Sequence, residues 1–376
     1  MTVAAALGIV ALAIWLGLLL GYGGFWLARE RDPCDPVAPP ADWPEVVAVV
    51  PARDEADVIG RAVGSLVAQD YPGRFRVILV DDGSRDGTAA AAGTHERLEI
   101  VTGAPLPPGW TGKLWAMAQG IERAGAPAYL WLTDADIAHA PDTLRLLVAE
   151  AVTGGLALNS RMARLRCDSL AERALIPAFV FFFQMLYPFA RVNRADRRIA
   201  GAAGGCMLAS ASALRAAGGI AAIRRALIDD CALAALLKQE GPIRLALTDR
   251  SLSIRPYGGW RAIGAMIARS AYAQLHYSPL WLTGALAGMA LVYGAPPLLA
   301  LFGDGMARMT GAAAWALMAL SFQPMLRFYR RSPLWGVALP LIAAFYAGCT
   351  LASAVRVWQG RGGMWKGRAQ AWRHGQ

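Results

Sequence analysis

The sequence LTDADI, Leu132 to Ile137, follows a short apolar run and places two carboxylates directly behind it. A run this short predicts a buried strand, and side chains alternate along an extended backbone with a period of two. Asp134 and Asp136 are therefore expected on the same side of the chain. Two carboxylates aimed at one point suit Mg²⁺ or Mn²⁺, which prefer hard oxygen ligands and keep positions open for phosphate oxygens. The alternative is a solvated pair in which Asp134 only caps a turn.

Long apolar segments lie at both ends of the chain. Of the 376 residues 56% are hydrophobic, and the mean hydropathy of +0.37 is too high for an ordinary soluble domain. Residues 3–27 carry no charge and precede Arg29 and Arg31. This segment predicts a transmembrane helix at residues 1–28, and it is too long for the apolar part of a signal peptide. Residues 29–45 then form a predicted linker, and the charge asymmetry places the domain after it in the cytoplasm.

The net charge of +10 raises the question of a nucleic-acid partner. No basic stripe with interleaved aromatic residues and no nucleic-acid motif accompanies this charge, so we expect no nucleic acid. Much of the excess charge lies beside apolar stretches, which favours an anionic membrane surface and a donor that carries a diphosphate. The five cysteines have no C-x-x-C spacing, which predicts reduced thiols.

Strand and helix patterns alternate before the acidic stretch. Residues 46–50 are a continuous apolar run that predicts a buried strand, and residues 76–80 predict the next strand, with helical spacing at 59–67 between them. Polar residues follow both strands, and open α/β sheets bind ligands at the carboxyl ends of their strands. Farther along, Lys113 ends a Gly-bearing loop before a helix predicted near Leu114, a position that attracts phosphate.

Six segments, in this order, resemble the family 2 glycosyltransferases with the GT-A fold. They are VVPARDEADVI (Val49–Ile59), VDDGSRDGT (Val80–Thr88), GKLWAMAQG (Gly112–Gly120), TDADI (Thr133–Ile137), AGGCMLAS (Ala203–Ser210) and DDCALA (Asp229–Ala234). The resemblance spans about residues 46–275. It implies an α/β fold in which residues 46–257 form a cytoplasmic GT-A domain, a mixed sheet flanked by helices, with transmembrane helices at both ends of the chain.

The resemblance also implies roles for individual residues. Asp54 and Glu55 would lie on the nucleotide-facing loop, and Asp82 would receive the uracil edge of a UDP-sugar. Lys113 would lie near the donor phosphates. Asp134 and Asp136 would hold Mg²⁺ or Mn²⁺, with Asp134 also contributing to donor binding. The acceptor or interface residues would be Asp229, Gly204, Gly205, Phe182 and Arg269.

The second acidic pair, Asp229 and Asp230, predicts the catalytic base. Inverting sugar transfer needs a group that removes the proton of the acceptor hydroxyl, and Asp230 fits that role. The family more often has Glu where Asp229 stands. The alternative is a charge pair at the N-terminus of a helix, where the helix dipole favours carboxylates.

Residues 175–192 are apolar and aromatic, and two interpretations stay open. They form either an interfacial element at the acceptor side or an ordinary core helix. Residues 258–278 predict an interfacial amphipathic helix. Processive family members carry a Q-x-x-R-W motif there, and only Arg269 is retained in this chain, which argues against polymer synthesis.

The C-terminal third contains three apolar stretches, at about residues 280–302, 311–326 and 334–357, so residues 279–358 predict transmembrane segments. Three crossings would put the basic tail at residues 359–376 outside, against the charge rule. One stretch is therefore a candidate re-entrant segment, and residues 311–326 are the shortest.

Further details resemble the bacterial hopene-associated glycosyltransferases: LPPGWTGKLWAMAQG (Leu106–Gly120), ARSAYAQLHYSP (Ala268–Pro279) and WKGR (Trp365–Arg368). This resemblance implies a multi-pass protein of the bacterial inner membrane whose acceptor is a membrane lipid, such as a hopanoid or another polyisoprenoid. Ceramide-type or carotenoid glycosyltransferases are alternatives with the same chemistry. A catalytically silent membrane protein that binds a nucleotide-sugar is an alternative of another class. A nucleotidyltransferase is disfavoured because its phosphate loop would be basic, whereas the loop PARDE (Pro51–Glu55) is acidic.

Overall fold

The computed structural model describes residues 2–35, 37–362, 364–365 and 368–369. The strands are β1 (Val46–Ala52), β2 (Phe75–Asp81), β3 (Leu98–Thr102), β4 (Tyr129–Leu132), β5 (Ile137–His139), β6 (Leu158–Arg164), β7 (Met207–Ser210), β8 (Ile243–Ser253), β9 (Met364–Trp365) and β10 (Arg368–Ala369). The helices are α1 (Val3–Gly21), α2 (Ala56–Val67), α3 (Thr88–Ala91), α4 (Gly112–Ala124), α5 (Thr143–Gly154), α6 (Leu170–Leu186), α7 (Phe189–Val192), α8 (Ala211–Ala216), α9 (Asp229–Leu237), α10 (Trp260–Gln274), α11 (Pro279–Met289), α12 (Ala295–Phe302), α13 (Gly305–Phe328) and α14 (Leu339–Trp358). A π-helical turn, Ala290–Gly294, joins α11 to α12, and short 3₁₀ turns lie at Phe25–Leu27, Ile220–Ile223 and Pro333–Gly336.

Among the described residues, β1 to β8 form one mixed sheet in the order β3-β2-β1-β4-β7-β6-β8-β5. Strand β1 runs parallel to β2 and β4, so these three strands release their following loops at one edge. Strand β7 runs antiparallel to both β4 and β6. The predicted strands at 46–50 and 76–80 are therefore confirmed, and the loops after β1, β2 and β4 meet at the edge where α/β sheets bind ligands.

Both faces of the sheet are buried, which explains the continuous apolar runs. Val47 and Val49 point to a core shared with α4 and α6, whereas Val46, Ala48 and Val50 point to a core shared with α2 and α5. Helix α4 packs closely against β1 at Gly120, where an added Cβ would stand only 2.4 Å from Cγ1 of Val49. All five cysteines are free, and only Cys34 is exposed.

The predicted linker at residues 29–45 is attached to the domain over its first residues. Arg31 forms a parallel bridge with Leu247, and the Asp32 amide donates to the Leu247 carbonyl at 3.1 Å. The Asp32 carboxylate lies 2.7 Å from Nε of Arg161, which also pairs with Glu150. The connection from α1 to the sheet is therefore fixed by a buried ion pair, which its Pro- and Asp-rich sequence did not indicate.

Four helical segments of the described residues are long and apolar enough to cross a membrane: Val3–Gly21, Leu170–Val192, Pro279–Phe302 and Leu339–Trp358. The stretch predicted to be weakest, residues 311–326, lies in α13, which is absent from that set. The stretch is part of a longer helix, since α13 has 24 residues. Its residues pack against α1, α12 and α6. Most of the basic tail lies outside the described residues.

The segment Leu170–Val192 is more than half buried inside the protein. Helix α6 begins at a capping box formed by Ser169 and Glu172, and it packs against α10, α13 and α14. Phe181 is fully buried between Phe25 and Phe322. Much of α6 is thus core, yet Phe179 and Phe183 reach a cleft described below.

Candidate active site

The two carboxylates of the acidic stretch lie on a turn between β4 and β5. The Ile137 amide donates to the Asp134 carbonyl at 3.3 Å, which closes the turn. The expectation that Asp134 and Asp136 share one side of an extended backbone is therefore wrong, because the strand ends at Leu132. Both residues nevertheless line the same cleft.

Lys113 joins the first acidic stretch to the second acidic pair. Its Nζ lies 2.8 Å from Oδ1 of Asp134 and 2.9 Å from Oδ2 of Asp229. Helix α4 starts at Gly112, two residues earlier than expected, so Lys113 lies in its first turn. Burial lowers the pKa of the Lys113 ammonium, but the carboxylates of Asp134 and Asp229 outweigh burial and raise it above its ordinary value. A permanent cation therefore stands between the two acidic sites.

Arg255 is the residue of this cleft that the sequence analysis missed. It pairs with Glu55, and its Nε lies 2.9 Å from Oδ2 of Asp136. The backbone N–H of Glu55 donates to Oγ1 of Thr88 at 2.8 Å, and this hydrogen bond fixes the position of Glu55. Arg255 lies two residues after the end of β8, and polar residues at strand ends were the signal that could have found it.

Asp230 is held by two backbone amides. The Gly204 amide donates to Oδ2 at 3.0 Å, and the Cys231 amide donates to Oδ1 at 2.7 Å. Burial, helped by the neighbouring Asp229 and opposed by Lys113, raises the pKa of Asp230 to about 6. Both carboxylates lie in the first turn of α9, as the helix-dipole alternative also expects. At neutral pH Asp230 is therefore an oriented, ionised proton acceptor.

Gly204 lies at the centre of these groups. A Cβ added there would stand 3.2 Å from Nζ of Lys113, 3.6 Å from Oδ2 of Asp134 and 3.7 Å from Cβ of Asp230. A side chain would fill the space that these three groups surround. Gly204 and Gly205 both line the cleft, so the loop before β7 leaves room for a ligand.

Asp54 and Asp82 lie beside the cleft, outside its lining residues. The Arg85 amide donates to Oδ1 of Asp54 at 2.9 Å, so Asp54 ties the loop after β1 to the loop after β2. Asp82 is 2% exposed, and Arg53 donates to its carbonyl and lies 3.6 Å from its Oδ2. These contacts make the two loops one unit next to Glu55.

The cleft has a volume of about 660 Å³ and changes character along its length. Its acidic part is lined by Glu55, Asp134, Asp136, Asp229 and Asp230, with Lys113 and Arg255 among them. Its other part is lined by the apolar side chains Met162, Leu165, Phe179, Phe183 and Met266 and by the arginines Arg269, Arg356 and Arg361. Phe182, one of the residues assigned to the acceptor side, points elsewhere and packs against Tyr293 and Tyr346.

The carboxylates at the cleft suit a divalent cation only if a bound substrate supplies further oxygen ligands. Among the described residues, no three His, Cys, Asp or Glu side chains are grouped so as to hold a metal ion. Asp134 offers hard oxygen atoms beside the space at Gly204, Asp136 offers them elsewhere in the same cleft, and Mg²⁺ is commonly held by one or two carboxylates together with substrate phosphates. The donor set therefore fits a cation that arrives with a diphosphate.

Residues 47–218 match the sequence model of the family Glycosyl transferase family 2. The matched segment runs from the second residue of β1 to beyond β7, and it includes Glu55, Lys113, Asp134, Asp136 and Gly204. No curated protein sequence matches the chain.

Several solved structures are similar in fold. A mannosyltransferase from Pyrobaculum calidifontis, solved with GDP-Man and Mn²⁺, is 22% identical with a TM-score of 0.54, covering 95% of this chain and 99% of that one. Mannosyl-3-phosphoglycerate synthase from Rubrobacter xylanophilus is 19% identical with a TM-score of 0.41, covering 62% of this chain and 73% of that one. The first similarity supports a shared fold over nearly the whole chain, and the second is too low for any inference. The similarity to the family 2 sequence model covers residues 47–218, and the mixed sheet shares its fold with the mannosyltransferase structure.

Proposed function

We propose that the protein is a membrane-bound, inverting glycosyltransferase that moves a sugar from a nucleotide-diphospho-sugar, such as a UDP-sugar, to a lipid. One observation carries this proposal: a single cleft joins the carboxylates at the carboxyl edge of the sheet to an apolar wall built by α6 and α10. A charged donor and an apolar acceptor would each find matching surface there. The similarity to the family 2 sequence model supports the reaction class.

The donor's diphosphate is assigned to the space between Lys113, Asp134 and Asp136. A divalent cation held there by Asp134 and Asp136 would stabilise the charge that develops on the departing diphosphate. Lys113 adds a fixed positive charge at the N-terminal turn of α4, where the helix dipole also attracts phosphate. Glu55 and the adjoining loops of Asp54 and Asp82 would receive the nucleoside.

The transfer step uses Asp230 as the base. Its carboxylate takes the proton of the acceptor hydroxyl while that oxygen bonds to the anomeric carbon. The bond from the anomeric carbon to the diphosphate oxygen breaks, so the nucleoside diphosphate leaves and the configuration inverts. The two amide hydrogen bonds hold the carboxylate in place, and a pKa of about 6 keeps it ionised at neutral pH without making it a very weak base.

The acceptor is assigned to the apolar part of the cleft. Phe179, Phe183 and Met266 would contact an apolar chain, and the exposed arginines Arg269 and Arg356 could hold anionic headgroups at a bilayer surface. The four candidate membrane segments would keep this end of the cleft near lipid. A hopanoid or another polyisoprenoid fits this surface, and so do ceramide-type and carotenoid acceptors.

Mass spectrometry of membrane lipids tests the proposal. Lipids from cells that contain the protein should include a glycolipid that is missing from cells lacking it and from cells with the Asp230→Asn variant. The mass difference from the unglycosylated lipid would give the sugar class and the acceptor. Identical lipids in all three strains, with nucleotide-sugar binding intact in the purified protein, would favour the silent binding protein instead.

A further inference from the structure

We propose that Thr133 and His139 are positioning residues that lock the turn carrying Asp134 and Asp136 to the loop that orients Asp230. Neither side chain lines the cleft, and the sequence patterns assigned no role to either one. The effect on ligand binding rests on the proposed function, whereas the hydrogen-bond arrangement rests on the structure alone.

Thr133 connects the two acidic sites through one hydroxyl group. Its Oγ1 donates to the Gly205 carbonyl at 2.8 Å, and it lies 2.9 Å from Nε2 of His139. Thr133 directly precedes Asp134, and Gly205 directly follows Gly204, whose amide binds Asp230. A single hydroxyl therefore fixes the distance between the turn of the metal-type carboxylates and the loop of the base.

His139 is fixed from three sides. Its Nδ1 lies 2.9 Å from Oγ of Ser251, and its backbone N–H donates to Oγ of Ser65 at 3.0 Å. Its ring centroid lies 4.5 Å from that of Trp131. The residue is 6% exposed. The ring is thus part of the sheet's packing and cannot reach a substrate.

The hydrogen-bond directions follow from counting protons. A threonine hydroxyl has one proton, which Thr133 gives to the Gly205 carbonyl, so Nε2 of His139 must be the donor in the second bond. A neutral imidazole has one N–H, so Nδ1 must accept from the Ser251 hydroxyl. The relay runs from Ser251 through His139 and Thr133 to Gly205. Burial lowers the pKa of His139 to about 3, which agrees with a neutral ring.

If Thr133 and His139 served only to pack the core, the direction of these hydrogen bonds would not matter. Valine has nearly the shape of threonine but lacks the hydroxyl, and serine keeps the hydroxyl but lacks the methyl group. The pair Thr133→Val and Thr133→Ser therefore separates the hydrogen bond from the packing.

Calorimetry with Mn²⁺ and UDP, repeated with Mn²⁺ and GDP, measures the effect on the donor site. Thr133→Val should weaken binding about 10- to 100-fold, as loss of a residue behind a metal ligand commonly does. Thr133→Ser should bind as the wild type does. Thermal unfolding of both variants confirms that the compared proteins are folded. Equal binding by Thr133→Val and the wild type would overturn the proposal.

The tautomer of His139 gives a second test that needs no ligand. In protein labelled with ¹⁵N-histidine, one of the four histidines should show a buried, neutral ring protonated at Nε2, and its signals should vanish in His139→Gln. A proton on Nδ1, or a doubly protonated ring at neutral pH, would overturn the relay. If the wild type binds neither nucleotide with Mn²⁺, the proposed function fails, and this measurement still decides the inference.

Discussion

Two arginine–carboxylate clusters differ mainly in what surrounds them. Arg161, 1% exposed, pairs with Asp32 and Glu150, each 9% exposed, and none of them lines the cleft. Arg255, 33% exposed, pairs with Glu55, 9% exposed, and with Asp136, 22% exposed, and all three line it. The same chemistry thus serves two purposes: the closed cluster attaches the segment after α1 to the sheet, and the open cluster presents carboxylates that can change partners.

The two clusters differ in the free-energy cost of losing a charged partner. A buried charge that loses its partner keeps its full desolvation cost, whereas a charge at a solvent-filled cleft can be rehydrated. Substitutions in the closed cluster should therefore act on stability, and substitutions in the open cluster should act on ligands.

Arg161→Ala should lower the free energy of unfolding by about 3–5 kcal/mol, because Asp32 and Glu150 would lose their shared buried partner and keep only the partly exposed Arg250 and Arg244. Chemical denaturation in a mild detergent measures it. Arg255→Ala is the matched control and should cost clearly less, since its carboxylates face the cleft. Equal losses in the two variants would remove the distinction between the clusters.

Phe181 and Phe183 extend the comparison to one helix. Phe181 is fully buried, so Phe181→Ala should cost about 3–5 kcal/mol of stability and reduce every activity together. Phe183 lines the apolar part of the cleft, so Phe183→Ala should weaken transfer to lipid while donor hydrolysis to water continues. Both activities are measured on one membrane-inserted preparation. Parallel loss of both in a folded Phe183→Ala protein would contradict the assignment of the apolar wall to the acceptor.

Asp136→Ala tests whether the open cluster holds a cation. It should weaken binding of a UDP-sugar in the presence of Mn²⁺ by at least about 100-fold, the upper range found for residues that only support metal ligands. Calorimetry with and without Mn²⁺ is the measurement. Full affinity in the variant, independent of metal, would exclude Asp136 as a ligand.

The pH dependence of turnover is the smallest expected effect. Since the base must be ionised, the rate should fall about tenfold for each pH unit below the pKa of Asp230, about 6. This folded-state pKa is above the unfolded value of about 3.9, so protonation of Asp230 stabilises the fold and that contribution is lost as the pH rises from 4 to 6. A rate that stays level down to pH 4 would place the base elsewhere, with Asp229 the first alternative.

The alternation of strands and helices could be predicted from sequence because the central residues of β1 and β2 are buried on both faces and therefore apolar. The acidic stretch could be recognised because Asp134 and Asp136 come just after β4, which is also buried and apolar. Their arrangement on a turn could not be predicted, because it depends on where β4 ends and β5 begins.

Contacts between residues that are far apart in the chain could not be predicted from the sequence. Arg255 meets Glu55 across 200 positions, and Asp32 meets Arg161 across 129. No local pattern reports such pairs. The position of Phe182 away from the cleft could not be predicted for a related reason: all three phenylalanines at 181–183 look alike in sequence, and only packing decides which of them faces the cleft.

The most direct test of a sugar transferase with a lipid acceptor is transfer of labelled sugar. Purified protein in bilayer discs made with native membrane lipids is incubated with Mn²⁺ and a radiolabelled UDP-sugar, or the GDP-sugar, and the lipid fraction is counted. The wild type should label the lipid, and Asp230→Asn should bind donor normally but label it 10²- to 10⁴-fold more slowly, the range that a general base commonly contributes. Lipid labelling at the wild-type rate by Asp230→Asn, or none by the wild type with any donor that it binds, would contradict the account.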